Sequence, residues 1–117
     1  MNDIQTNVAD LNAMIAGGKI LEAFDKYYAD DVVMQENSEE PRVGKEVSRK
    51  YEEAFVGGVV EFHGMKILNV AFGENVAMIE SWMDLTHKDW GRVARSQVSV
   101  QTWKDGKIVH ERFYYGK

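Results

Sequence analysis

The chain has 117 residues and no cysteine, with 44% hydrophobic and 28% charged residues. Its 14 basic and 19 acidic side chains give a net charge of -5, and no basic run interrupts the sequence, which argues against a nucleic-acid partner and against an anionic membrane surface. The lack of cysteine excludes disulfides, thiolate metal sites and a cysteine nucleophile. No signal segment is recognisable, and no apolar run reaches the roughly 20 residues that span a bilayer. We therefore expect one cytoplasmic domain over residues 1–117.

Apolar residues recur with a helical period in three segments of the first half of the chain. The predicted helices cover residues 3–16, 19–28 and 45–55. Pairs of glycines follow the first and third of these segments, and Gly57-Gly58 is expected to stop the third helix. Between the second and third helices, a short apolar strand over residues 32–36 ends on the carboxylate of Glu36.

From Val59 onward the apolar period changes from a helical one to two, which is typical of strands. The predicted strands cover residues 59–72, 75–86, 93–104 and 107–115. Asp105-Gly106 between the last two is a strong hairpin signal. The order of helix, helix, strand, helix and four meandering strands indicates an α+β fold in which a curved sheet folds over a helical layer.

Three stretches, "FDKYYADDVVMQE", "PRVGKEVSRKYEEAF" and "WKDGKIVHERFYYG", add a family resemblance to this order. The chain resembles the nuclear transport factor 2-like superfamily, and within it the SnoaL-like and ketosteroid isomerase-like small proteins. The resemblance spans essentially the whole chain. It implies a cystatin-like cone in which three N-terminal helices pack on a curved, mainly antiparallel sheet. Members include isomerases, cyclases, dehydratases and non-catalytic association domains, so the fold does not settle the function.

The resemblance also carries over to single residues. The ketosteroid isomerases keep their general base at the end of the strand that follows an A-D-D motif, and Glu36 occupies that place after Ala29-Asp30-Asp31. Those enzymes hold the oxyanion with a tyrosine and a protonated aspartate. The corresponding positions here are Leu11 (or its neighbour Asp10) and Ser99, so that oxyanion hole is not reproduced.

Strand alternation gives two candidate faces for the segment 75–86. One face carries Glu80 and Trp82, and the other carries the more apolar Ile79 and Met83. Apolarity alone places the second face in the core, whereas the resemblance places Glu80 and Trp82 in the pocket, and we favour the latter. The apolar face would then cover the outside of the sheet. Many relatives dimerise through that surface, so we expect a homodimer through the sheet face.

The same counting along the other elements predicts a mostly apolar cleft with a few converging polar groups, the usual form of a small-molecule site. The expected catalytic residues are Glu36, Tyr51 and His63. The expected substrate-binding residues are Glu80, Trp82, Gln97, Ser99, Glu111, Phe113 and Tyr115. Carboxylates clustered in such a cleft have raised pKa values because burial and like charges disfavour ionisation. His63 could instead pair with Glu36 or Glu80 and keep that carboxylate ionised, and spacing leaves both arrangements open.

Structural explanations exist for several of these side chains. Glu36 can be a solvated strand end, and Glu80 or Glu111 can be cross-strand partners of Arg95 or Arg112. Glycine-rich nucleotide loops and a nucleophile elbow are missing, and the three histidines lack metal-ligand spacing. No cofactor or metal is therefore implied.

The leading functional hypothesis is a small-molecule-binding cone with acid/base catalysis of the isomerase, cyclase or dehydratase type on an apolar carbonyl compound. Glu36 would be the base, Tyr51 or His63 would assist it, and side chains such as Gln97 and Ser99 would donate hydrogen bonds to the developing oxyanion. The alternative is a non-catalytic ligand-binding or dimerisation module of the same fold.

Overall fold

A computed structural model describes residues 3–116 and contains three helices and one six-stranded sheet. The helices are α1 (Ile4–Ala16), α2 (Ile20–Tyr27) and α3 (Lys45–Gly58). The strands are β1 (Tyr28–Glu36), β2 (Arg42–Val43), β3 (Val59–Gly73), β4 (Val76–His87), β5 (Gly91–Lys104) and β6 (Lys107–Tyr114). No helix in this part of the chain has both the length and the apolar character needed to cross a membrane.

The strands lie in the order β2-β1-β6-β5-β4-β3. β1 pairs with β6 in parallel, and the other neighbouring pairs are antiparallel. Three helices on a curved, mostly antiparallel sheet confirm the predicted α+β architecture. At the β5–β6 hairpin, Asp105 and Gly106 have φ values of 53° and 78°, as a tight turn with two left-handed residues requires.

The short strand β2 was not predicted, and two element boundaries differ from the prediction by three residues or more. β1 begins at Tyr28 rather than at residue 32, because Tyr28 already pairs with Ile108 of β6. α3 continues through Gly57 and Gly58 instead of ending at Phe55. Neither glycine takes a positive φ, so this pair continues the helix and does not cap it.

The core lies between the helices and the concave face of the sheet. Its fully buried side chains come from α1, α2 and the central strands and include Val8, Leu11, Phe24, Val32, Met34, Ile79 and Ile108. Tyr27 of α2 packs edge-on against Trp103 of β5, with ring centroids 5.7 Å apart. Phe24 stacks on Tyr28 at 4.6 Å. These contacts fix α2 against the sheet and leave the space beneath α1 and α3 to a cavity.

The end of α3 is packed directly on the end of β4. The Gly58 carbonyl accepts a hydrogen bond from the Lys88 amide at 2.8 Å, and a Cβ added at Gly58 would overlap the buried imidazole of His87. That imidazole stacks on Trp90 at 3.9 Å and lies 6.1 Å from the ring of Phe55. Gly58 therefore sets how closely α3 approaches the β4–β5 turn.

We expect Gly58→Ala to destabilise the protein by about 1–3 kcal/mol, because the added methyl group overpacks the His87 ring. Gly57→Ala is the matched control: its added Cβ meets nothing within 4 Å, and alanine is the better helix former by up to about 1 kcal/mol. Urea unfolding of the two variants measures both effects. Equal stabilisation by both substitutions would contradict the close packing at Gly58.

Candidate functional site

A cavity of about 550 Å³ lies between the helices and the concave face of the sheet, within the usual size range of small-molecule sites. Most of its wall is apolar and is formed by Leu11, Ile15, Ile20, Phe24, Phe55, Met65, Ile79, Met83 and Phe113. Trp90 and Tyr51 also line it and are 55% and 40% exposed. The cavity therefore reaches the surface beside these two rings.

Glu111 of β6 is a cavity carboxylate with three hydrogen-bond donors. Tyr28 of β1 donates to one carboxylate oxygen, and Ser99 Oγ and Gln101 Nε2 of β5 donate to the other at 2.6 and 3.0 Å. Trp103 Nε1 donates to Gln101 Oε1 at 3.1 Å and orients that amide. Glu111 is 2% exposed, and this burial raises its pKa although the three donors act in the opposite direction.

Glu36 ends β1 inside the cavity wall and not in solvent. One carboxylate oxygen lies 3.2 Å from Arg42 Nη2, and the other accepts a hydrogen bond from Tyr115 Oη at 3.1 Å. The guanidinium of Arg42 in turn stacks over the ring of Tyr51 at 3.7 Å. Burial and the nearby Glu36 anion raise the pKa of Tyr115 to about 12. Glu36 is thus an oriented anion, and Tyr115 remains protonated as its donor.

Glu52 of α3 is a third carboxyl group of the cavity, and it was not among the predicted site residues. Burial, and then the negative charge of Glu111, raise the pKa of Glu52 to about 7. Among residues 3–116 no side chain or amide donates a hydrogen bond to it, in contrast to the other two glutamates. Ser48 of α3 is fully buried, and Glu52 one turn later lines the cavity, so the inward face of this helix is polar. Apolar periodicity instead marks Val47, which is 53% exposed.

The predicted pocket face of β4 is wrong. Ile79, Ser81 and Met83 line the cavity, because the apolar side of the strand has to face the helices. Glu80 and Trp82 point to the outer face, where Glu80 accepts a hydrogen bond from Asn69 Nδ2 at 2.7 Å. Apolarity alone predicts this strand correctly.

His63 also lies outside the cavity lining. A bulge in β3 between Phe62 and Gly64 shifts the register, so the alternation that includes Met65 does not extend back to His63. Its Nε2 lies 3.0 Å from Thr86 Oγ1, and its Nδ1 lies 3.5 Å from the Glu61 carboxylate. His63 therefore pairs with neither Glu36 nor Glu80.

Seven of the ten predicted site residues line the cavity, namely Glu36, Tyr51, Gln97, Ser99, Glu111, Phe113 and Tyr115. Their catalytic and binding roles stay predictions. The predicted set lacks six further polar side chains of the lining, namely Asn12, Tyr28, Glu52, Ser81, Arg95 and Gln101. Despite the three glutamates, no group of three acidic, histidine or cysteine side chains in the described chain is arranged to hold a metal ion.

Comparison with known proteins agrees with this architecture. The model of the SnoaL-like domain family matches residues 4–115. A proposed SnoaL-like polyketide cyclase from Mesorhizobium loti is 30% identical, with a TM-score of 0.85 over 97% of this chain and 100% of that one. A proposed isomerase from Bacillus subtilis is 17% identical, with a TM-score of 0.79 over 99% and 90% of the two chains.

An LEH-like epoxide hydrolase of M. tuberculosis shares the fold at 18% identity, with a TM-score of 0.76 over 95% of this chain and 84% of that one. No curated protein sequence gives a significant match. The fold is therefore that of the nuclear transport factor 2-like cones. Within that class, the chain belongs to the SnoaL-like domain family.

Glu52 should make the stability of the protein depend on pH. Its folded pKa of about 7 lies above the ordinary value of 4.5, so the folded state binds more protons than the unfolded state between these values. The free energy of unfolding then falls as pH rises from about 4.5 to 7, by on the order of 2 kcal/mol. We expect Glu52→Gln to flatten this slope and to be more stable than wild type above pH 7.

Urea unfolding at several pH values from 5 to 8 measures this effect. Glu53→Gln is the matched control, because Glu53 is the next residue of the helix and its carboxylate is half-exposed and paired with Arg49. Identical slopes in Glu52→Gln and wild type would contradict the assignment of a buried, proton-binding Glu52.

Proposed function

We propose that the cavity binds an apolar carbonyl compound and catalyses proton transfer at the carbon next to the carbonyl group. Isomerisation, cyclisation and dehydration all begin with this step. The observation that supports the proposal most strongly is the contrast between two carboxyl groups of one cavity. Glu36 has a guanidinium and a phenol as partners, whereas Glu52 has no donor among the described residues and a pKa raised by burial to about 7.

Such a contrast supports a division of acid/base roles between the two groups, because different environments give two carboxyl groups different proton affinities. Glu36, as the anion, takes the proton from the carbon. Below about pH 7 Glu52 is protonated and donates its proton to the carbonyl oxygen as the C–H electron pair moves toward that oxygen. The product of this step is an enol. For an unsaturated ketone it is a dienol, and Glu36 completes the isomerisation by returning its proton to the far carbon of the diene while the enol O–H returns its proton to Glu52.

A neutral donor is also available for the developing oxyanion. Of the two side chains proposed for this role, Ser99 already donates to Glu111, whereas the Gln97 amide has no hydrogen-bond partner within residues 3–116 and lines the cavity. Tyr51 is close enough to Arg42 to help orient the Arg42–Glu36 pair. His63 has no part in this mechanism because it lies outside the cavity lining.

The relatives support a reaction of this kind without fixing the substrate. Two of the similar structures are a proposed polyketide cyclase and a proposed isomerase. The alternative, a non-catalytic binding module, is favoured by the family resemblance, which places Leu11 (or its neighbour Asp10) and Ser99 where the ketosteroid isomerases have their oxyanion-holding residues. Binding of a ligand without turnover would support that alternative.

We also propose that a second copy of the chain covers the outer face of the sheet. Met78, Val98 and Tyr114 lie on this face and are 49%, 36% and 43% exposed, and Val98 is the direct cross-strand neighbour of Tyr114. Glu80 and Arg112 on the same face carry opposite charges, which a two-fold related copy can oppose. A cytoplasmic location, indicated by the cysteine-free sequence, stays a prediction.

The catalytic proposal is tested by a thermal-shift screen of apolar ketones, enones and lactones, followed by turnover assays on the compounds that bind. We expect Glu36→Gln to lower kcat by roughly 10²–10⁴-fold, the usual contribution of a positioned base. Glu52→Gln should lower kcat and remove the loss of activity above pH 7. Glu80→Gln, on the outer face, is the control and should leave kcat unchanged. Full turnover by Glu36→Gln would refute its role as the base.

The dimer proposal is tested by the mass in solution, measured by light scattering. Wild type should have twice the chain mass of 13.4 kDa, and Val98→Lys should be monomeric because it places a charge in the apolar strip. Val43→Lys, at a 68% exposed valine of β2 away from this strip, should remain dimeric. A monomeric wild type would overturn the proposal.

A further inference from the structure

Arg95 is a basic side chain in the wall of the cavity. It lies on β5, directly opposite Met83 of β4, and shares the inner face of its strand with Gln97 and Ser99. Its guanidinium lies over the ring of Tyr115 at 4.0 Å. A guanidinium that stacks on an aromatic ring uses its face for this contact, and its N–H groups remain free to donate within its own plane. The contact with Tyr115 therefore orients the donors of Arg95 without occupying them.

No carboxylate in residues 3–116 forms an ion pair with Arg95, and its buried Nε has no hydrogen-bond partner there. Two other arginines do form carboxylate ion pairs: Arg42 lies 3.2 Å from Glu36, and Arg92 lies 2.7 Å from Asp84. Tyr115 contacts both groups: the face of its ring lies under the Arg95 guanidinium, and its hydroxyl donates a hydrogen bond to Glu36.

The remaining charges of the cavity do not compensate Arg95. Glu36 is matched by Arg42. Burial raises the pKa of Glu52 to about 7, which reduces its negative charge near neutrality. Glu111 already accepts hydrogen bonds from Tyr28, Ser99 and Gln101. A charge that is partly removed from water without a partner costs free energy. An anionic group on a ligand would offset this cost, and the planar fork of an arginine matches a carboxylate best.

We propose that Arg95 binds a carboxylate of the ligand, so that this cavity takes carbonyl compounds that carry a carboxylate on an apolar body. Gln97, two residues along the same strand face, lies about 7 Å from Arg95. With the carboxylate at Arg95, the reacting carbonyl of the same molecule can lie near Gln97. The inference rests on the proposed function only for the statement that such keto acids are turned over, since anion binding requires no catalysis.

The test compares acids with uncharged analogues of the same shape. Calorimetric titration uses 2-naphthoate and 5-oxo-5-phenylpentanoate, each beside its primary amide, at pH 6.5. Wild type should bind at least one acid ten-fold or more tightly than its amide. Arg95→Gln should reduce this ratio to about one while leaving the affinity for the amide unchanged. Arg92→Gln removes the same charge from the same strand, outside the cavity lining, and should retain the full ratio.

Equal affinities of acid and amide in wild type would overturn the proposal, as would no detectable binding of either acid. A preference for the acid that survives in Arg95→Gln would also overturn it. If Arg95→Gln does not fold, the ratio of acid affinity to amide affinity in wild type still tests whether the cavity prefers a carboxylate. Acid binding that depends on Arg95, without turnover of any keto acid, would refute the proposed catalysis and leave the anion site standing. Turnover of neutral ketones, together with equal affinities of acid and amide in wild type, would refute the anion site and leave the proposed catalysis standing.

Discussion

The hydrogen bonds to Glu111 are the interaction on which the arrangement of the cavity depends. They connect β6 to β1 through Tyr28 and to β5 through Ser99 and Gln101. A buried carboxyl without such donors would cost several kcal/mol, so its presence requires that all three strands keep their register. The negative charge of Glu111 also raises the pKa of Glu52. A carboxylate that is held in place by the sheet therefore affects the proton affinity of a side chain on α3.

Stability and reactivity are opposed in this cavity. Replacing a buried acidic group by an apolar one of similar size is commonly neutral or stabilising, so a simple scaffold would gain from losing Glu52. Its retention beside two other carboxyl groups is the kind of local inconsistency that marks functional sites. The apolar wall of the cavity strengthens the electrostatic interactions within it. Its low dielectric increases both the repulsion between the carboxyl groups and the attraction of Arg42 for Glu36.

Much of the fold and part of the site were predictable from the sequence. The period of two in β3 to β6, the Asp105-Gly106 turn and the position of Glu36 all follow from local patterns or from the family resemblance. Glu52 was missed because its helix buries a polar face, which apolar periodicity does not mark. His63 was misplaced because a bulge interrupts the alternation of β3. Arg95 lay on the predicted face of β5, but its lack of a partner is a three-dimensional fact that spacing does not show.

The stacked rings at the cavity entrance have a consequence for selectivity. Trp90 borders the opening and stacks on His87, which in turn packs against the last residue of α3. The same helix carries Glu52 six residues earlier. The width of the cavity entrance and the pKa of Glu52 therefore depend on the same helix. A shift of α3 that admits a larger molecule also changes the solvation of Glu52. In this architecture the size of the substrate and the proton affinity of Glu52 are coupled, and a substitution that changes one also changes the other.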